Sequence, residues 1–308
     1  MTQTLSSPAV RETASPPSRK RARRTASPYP TWFYLVPAVI YIGFFLVPTL
    51  LSFYFAFTRW DLFTSEWVGL DNFRTFFDQQ EFSIGLKNTV IYALITCTLK
   101  VVLGLAIAMV LTSAIFARGY LRSVIFFPTL VSTIGIGLAF TVLLNPEKGL
   151  VNNFLGSVGV DGPAWLVDPS WALVSVAFVD VWKGVGLATV IYIAGLVSIP
   201  AEYKEAARVD GASAWHTFRH VTLPLLKPAT STVILLSFIG GLRSFDLIWA
   251  MTKGGPGFTS DVISSVIYKQ YQAGFFGLSA AGNVVLFLVV TALAVPLSWY
   301  LNRGEVES

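Results

Sequence analysis

Residues 88–112 read NTVIYALITCTLKVVLGLAIAMVLT, and Lys100 is the one charged side chain among them. A helix needs about 20 predominantly apolar residues to cross roughly 30 Å of hydrocarbon. This run supplies them without the alternation of apolar and polar positions that marks a barrel strand. Working outward, five more such runs lie at 32–57, 122–144, 171–197, 229–250 and 282–301. The predicted class is an all-α integral membrane protein with six transmembrane helices, multi-pass in the cell membrane and in contact with its lipid.

Composition agrees. Of 308 residues, 54% are hydrophobic and 13% charged, whereas a soluble domain carries about a quarter charged residues. Cys97 is the only cysteine and sits in an apolar run, so no internal disulfide can form. The net charge of +5 comes from basic residues spread over the first 24 positions and the connections, which argues against a nucleic-acid face. Residues 1–30 are rich in Ser, Thr, Pro and Arg, with the block Arg19-Lys20-Arg21-Ala22-Arg23-Arg24, and read as a disordered basic cytoplasmic tail. The 26-residue run that follows exceeds the roughly 7–15 residues of a secretory h-region, so it reads as an anchor.

Basic residues favour the cytoplasmic side. With the N-terminus inside, inner segments hold thirteen Lys and Arg (among them Arg118, Lys204, Arg208, Lys227 and Arg303) and outer segments six. Both termini are therefore expected in the cytoplasm, with a short tail at 302–308. Pro37, Pro48 and Pro128 fall inside spans, where neighbours can resatisfy the freed backbone groups.

Between the fourth and fifth runs, residues 200–228 stay polar on the side read as cytoplasmic. Positions 201–209 are good helix formers, and Glu205 and Arg208 stand at i,i+3. Gly211 permits a backbone reversal, Asp210 or Ser213 can cap a second helix, and Pro224 is expected to stop it. Ala206, Ala207, Ala212 and Ala214 add little bulk, so a partner could approach closely, and a short amphipathic helix fits a groove. The same residues could also lie on the membrane surface. His216 and His220 stand at i,i+4 but have no third ligand to complete a metal site.

Lys100, Asp180, Lys183, Arg243 and Asp246 lie within predicted spans, where an unpaired charge costs roughly 2.5–3.5 kcal/mol. Asp180–Lys183 and Arg243–Asp246 are i,i+3 and can each pair on one helix face. Lys100 has no carboxylate at i±3 or i±4 and must find a partner elsewhere. These charges either hold the bundle or line a wet path for a polar solute, with Trp182, Phe245 and Trp249 available to offer it their ring faces.

The Glu205-Ala206-Ala207, Asp210-Gly211-Ala212 and Leu223-Pro224 series resembles the EAA loop of permease subunits in ABC importers. Further stretches resemble the maltose and glycerol-3-phosphate type of sugar permease. They are Val68-Gly69-Leu70-Asp71-Asn72-Phe73, Leu86-Lys87-Asn88-Thr89, Asn145-Pro146-Glu147-Lys148-Gly149-Leu150-Val151-Asn152, Trp165-Leu166 and Thr252-Lys253-Gly254-Gly255-Pro256-Gly257. The resemblance implies a type I (MetI-like) importer permease. A first span and external segment at 31–87 would precede a core at 88–301. The polar loop would be a coupling helix seated in a separate ATPase subunit, with Glu205 and Gly211 central. It further implies two ATPase subunits carrying ATP and Mg, a second permease chain (a different one favoured), an extracellular solute-binding protein and a sugar substrate. No G-x-x-x-x-G-K-[ST] occurs in the sequence, so no cofactor or catalysis is expected of this chain. The glycine cluster at 254–257 is expected to form an external turn after the fifth span. The rival reading is a stand-alone secondary transporter or channel for a polar solute, but no internal repeat supports it. A membrane enzyme would need a clustered nucleophile, base or metal set, and the sequence offers none.

Overall fold

In the computed structural model, which describes residues 30–113 and 115–303, helix dominates. The basic tail predicted at 1–30 lies outside the described residues except for Pro30, as do positions 304–308. The chain divides into the units Met1–Pro48 and Thr49–Ser308. Helix α1 (Trp32–Phe55) is followed by a hairpin of β1 (Thr58–Trp60) and β2 (Ser65–Trp67), then α2 (Asp71–Asp78) and α3 (Gln80–Thr112). Next come α4 (Arg118–Leu130), α5 (Thr133–Leu143), α6 (Leu150–Ser157) and α7 (Ala172–Ser198). The short pair α8 (Ala201–Val209) and α9 (Ala214–Leu225) leads to α10 (Lys227–Leu242), α11 (Asp246–Met251), α12 (Ile263–Gln272) and α13 (Phe276–Asn302).

The first unit is the leading part of α1, in which no residue from Leu35 to Leu46 is buried. It takes a π turn over Ile42–Leu46, where Val47 N–H bonds back to the Ile42 carbonyl. The turn sits just ahead of Pro48, whose missing N–H and bulky ring an uninterrupted α-helix would accommodate badly.

In the second unit α3 is the axis. Its 33 residues give a rod about 50 Å long. Beside the large Phe82, Tyr92 and Leu111, most of what it buries is small or polar, including Gly85, Thr89, Thr96, Lys100, Gly104 and Ala108. Leu94, Val102 and Val110, on the other side, are exposed. Inverted polarity is what lipid selects, because apolar side chains gain nothing by leaving hydrocarbon whereas small ones let backbones approach. Gly104 faces Ala188 of α7, Gly186 of α7 faces the Ile125 carbonyl of α4, and Gly241 of α10 faces Ala93 of α3. At each, an added Cβ would meet atoms at 2.8 Å or less.

Four helices are long and apolar enough to cross a membrane singly, α1, α3, α7 and α13, and two bent pairs meet the same test. The span predicted at 122–144 is α4 and α5, bent by 97°. Pro128 withholds a hydrogen bond just before the break, and Ser132 caps the new helix by accepting from Gly135 N–H. The span predicted at 229–250 is also interrupted: α10 stops at Leu242 and α11 restarts at Asp246. At its other end α10 bends by 67° from α9. Pro228, four residues after Pro224, has no N–H to give the Pro224 carbonyl, so the helix breaks at Leu226 and not at Pro224 as expected.

The polar motifs hold the ends of these helices. Asn72 donates to the Ala56 and Thr58 carbonyls at 3.0 and 2.8 Å, tying α2 to the hairpin. Asn88 donates to the Thr259 and Asp261 carbonyls, and the Thr89 hydroxyl accepts from Ile263 N–H. Asn152 donates to the Pro146 and Pro163 carbonyls while its oxygen accepts from Trp165 Nε1 at 2.6 Å.

Candidate functional site

The α8–α9 pair is built by its caps. Ala212 N–H bonds to the Ala207 carbonyl and Gly211 N–H to the Arg208 carbonyl, a Schellman closure with Gly211 at φ +77°. Asp210 is the C-cap residue of α8. Ser213, not Asp210, caps α9 by accepting from His216 N–H at 3.2 Å. A π turn over Phe218–Thr222 precedes Leu223 and Pro224, as the one in α1 precedes Pro48. His216 and His220 stack at 4.1 Å, and the described residues contain no cluster of three metal-ligating side chains.

This pair exposes what a soluble protein would bury. Val209 is 88% exposed and Trp215 66%, and the small residues Ala207, Gly211 and Ala212 line an open hollow beside them. Glu205 and Arg208 do not pair, and no other ion pair among the described residues involves them. Both project outward, where an exposed i,i+3 contact is worth only a few tenths of a kcal/mol.

Within the spans the expected pairings change. Asp180 bonds not to Lys183 on its own helix but to Lys100 on α3, with Nζ to Oδ2 at 2.8 Å. Lys100 reaches it by lying over Gly184, where a Cβ would sit 2.7 Å from Cε. The fully buried Tyr92 hydroxyl lies beside Asp180 and Ser244. Lys183 is half-buried, and its carbonyl accepts from Thr129 Oγ1 of α4. Arg243 and Asp246 flank the α10–α11 break, exposed and unpaired among the described residues. Their pairing fails because the helix they were expected to share ends between them.

The aromatic candidates separate too. Trp182 packs on Phe140 at 5.2 Å and lines an apolar cavity of about 530 Å³ with Trp165 and Trp171. Phe245 and Trp249 stack at 5.8 Å and meet Tyr268 of α12, a residue outside the sequence-based candidates.

With this geometry in place, comparison with known proteins is decisive. Residues 100–302 match the family described as binding-protein-dependent transport system inner membrane component. The chain belongs to that family. The trehalose/maltose transport system permease protein MalF of Thermococcus litoralis is 33% identical over 268 residues, covering 86% of this permease and 90% of that protein. The diacetylchitobiose uptake system permease protein NgcF of Streptomyces coelicolor is 32% identical over 320 residues, covering 96% and 90%. A bacterial ABC transporter involved in the import of the acidic polysaccharide alginate shares the fold, with a TM-score of 0.79 at 23% identity, covering 89% of this chain and 96% of that one. The permease is thus a multi-pass membrane component of a transport system, a translocating subunit and not a catalytic one.

In this permease the glycine cluster is a turn, but not on a continuous fifth span: it follows the short α11. Gly254 has φ +85°, and a Cβ there would collide with the Asp261 carboxylate. Asp261 is fully buried, accepts from Ser265 Oγ at 2.7 Å and pairs with Lys269 Nζ at 2.5 Å. Burial pushes its carboxyl up, and the hydrogen bonds from Lys269 and Ser265 pull it back. Removing one partner of a buried pair costs about 3–5 kcal/mol. Asp261→Ala is therefore expected to lower the melting temperature of the solubilised permease and to expose the 252–262 turn to protease. An unchanged melting curve would show that the turn does not depend on this carboxylate.

Proposed function

We propose that this permease forms half of the pathway of an ATP-driven importer for a sugar or sugar derivative. The cargo class rests on the relatives: their names specify trehalose/maltose and diacetylchitobiose, and an alginate transporter of like fold was captured with an alginate pentasaccharide-bound periplasmic protein. In this reading six spans, two of them bent, place both termini in the cytoplasm. The division is a first span and external segment at 31–87 and a core at 88–301, with 200–228 as the coupling loop. A second, different permease chain completes the pore, an extracellular binding protein delivers the sugar, and ATP and Mg bind two separate ATPase subunits.

One observation carries the coupling role: a helix pair closed by its own caps leaves Glu205 without an ion-pair partner among the described residues and Val209 almost wholly exposed. We assign the ATPase contact to Glu205, Ala206, Ala207, Asp210, Gly211 and Ala212, with Leu223 and Pro224 ending the element. The substrate path runs by Asp180, Lys183, Arg243, Phe245, Asp246 and Trp249. Trp182, partly exposed and also bordering the apolar cavity with Trp165 and Trp171, belongs to the same path. ATP binding favours one conformation of the ATPase pair, and the loop transmits that preference to the spans, so the cavity alternates its access. Cys97, the single native cysteine, is buried, so a cysteine at Val209 gives a clean reporter once Cys97 is replaced by Ser. Cross-linking of Val209→Cys to the ATPase subunit, with a yield that changes on adding ATP, is the expected result. A reporter that reaches lipid alone would remove the docking role.

A further inference from the structure

Beyond the candidates read from sequence, a cavity of about 390 Å³ opens between α11, α12 and α13, bordered by Phe245, Ser264, Tyr268, Tyr271 and Asn283. Its rings continue in both directions. Tyr268 meets Phe245 at 5.0 Å and Trp249 at 4.8 Å on one side, and on the other Tyr271 meets Phe276, which meets Trp60 at 5.7 Å. Two features distinguish this band from packing alone. Tyr271 is 54% exposed, its ring held between neighbours with a free side toward the cavity. Asn283 stands exposed on an apolar spanning helix, where an amide is costly unless it faces protein or water. One of its N–H groups goes to the Ser279 carbonyl at 3.1 Å, and its oxygen has no partner among the described residues.

Apolar walls with a few convergent polar groups are the general form of a small-molecule site. Ring faces beside an amide and a serine hydroxyl suit a pyranose, whose C–H face stacks while its hydroxyls exchange hydrogen bonds. Resting on the sugar-import reading above, we propose that this cavity is a single-ring carbohydrate subsite. The sugar stacks on Tyr271 and Tyr268 and is held by Asn283 and Ser264. Phe245 connects it to the interior, because the preceding Ser244 lies beside Tyr92, whose hydroxyl also neighbours Asp180. A cargo ring therefore rests on the aromatic band before it reaches the Lys100–Asp180 pair.

The test uses the complete transporter, with its partner permease, ATPases and binding protein, in proteoliposomes. Uptake of radiolabelled maltose, trehalose and diacetylchitobiose is normalised to transporter amount, beside binding-protein-stimulated ATP hydrolysis. Tyr271→Phe keeps the ring and should transport as wild type. Tyr271→Leu keeps an apolar side chain without a ring and, with Asn283→Ala, should lower uptake about tenfold while ATP hydrolysis stays unchanged. Because Tyr271 is more than half exposed, leucine there leaves no buried void. Wild-type uptake by Tyr271→Leu and Asn283→Ala, or a parallel fall of uptake and hydrolysis, overturns the subsite and leaves the importer reading standing. Wild-type transporter that moves none of the three sugars overturns both.

Discussion

Glu205→Ala is expected to abolish ATP-driven uptake, by about a hundredfold or more, while the permease remains in the membrane at its normal level. The reason is a contrast in surroundings. Among the described residues the Glu205 carboxylate is exposed and has no ion-pair partner, so its removal costs the described fold almost nothing. Set into a partner's groove it would lie near the centre of a small contact, where a few residues carry most of the binding energy, often 2 kcal/mol or more each. Gly211→Ala should act alongside it by a different route. A Cβ at Gly211 meets nothing within 4 Å, but φ is +77°. The left-handed backbone then costs an alanine about 1–2 kcal/mol, and the added methyl intrudes on the docked partner. Gly211→Asn separates the two contributions, because asparagine tolerates the backbone and still adds bulk. Uptake and ATPase rates in proteoliposomes, beside membrane abundance by immunoblot, measure all three. Wild-type uptake by both Glu205→Ala and Gly211→Ala would end the coupling assignment.

The second large effect is expected at the centre of the bundle. Asp180→Ala leaves the Lys100 ammonium buried without its partner, a loss of about 3–5 kcal/mol, and Lys100→Ala does the same to Asp180. Either single change should cut the amount of folded permease. The double variant Lys100→Met with Asp180→Leu removes both charges, and an apolar replacement of such a pair is often neutral or stabilising. It therefore decides between the two roles. Restored abundance with uptake still lost places the pair in the substrate path. Restored abundance with restored uptake makes it a brace between α3 and α7 and nothing more. If the single variants accumulate and melt as wild type, the pair contributes neither.

How much of this was legible in the chain varied by element. Class and number of apolar runs followed from hydrocarbon thickness alone, since any run near 20 residues must be tested as a span. The turn between α8 and α9 was clear, because Gly211 at the left-handed position and a cap at Asp210 or Ser213 are local chemistry, but the far end was not, since α9 runs past Pro224 to Leu225. The breaks were less clear. A proline signals strain, but whether a helix takes a π turn, as before Pro48, or breaks outright, as after Pro128, depends on what packs around it.

The sequence by itself determined that this is a helical membrane protein with a polar loop between its fourth and fifth apolar runs, because both conclusions rest on local composition and on the reach of a few neighbouring residues. Only the tertiary structure decided that Asp180 pairs with Lys100, 80 positions away, in place of its expected i,i+3 partner Lys183. The same holds for Tyr268, Tyr271 and Asn283 meeting Phe245 around one cavity. Periodicity tells which side of a helix shares a face, but not which other helix lies against that face. In a membrane the choice is weakly written, since lipid and protein are equally apolar and small residues settle the packing.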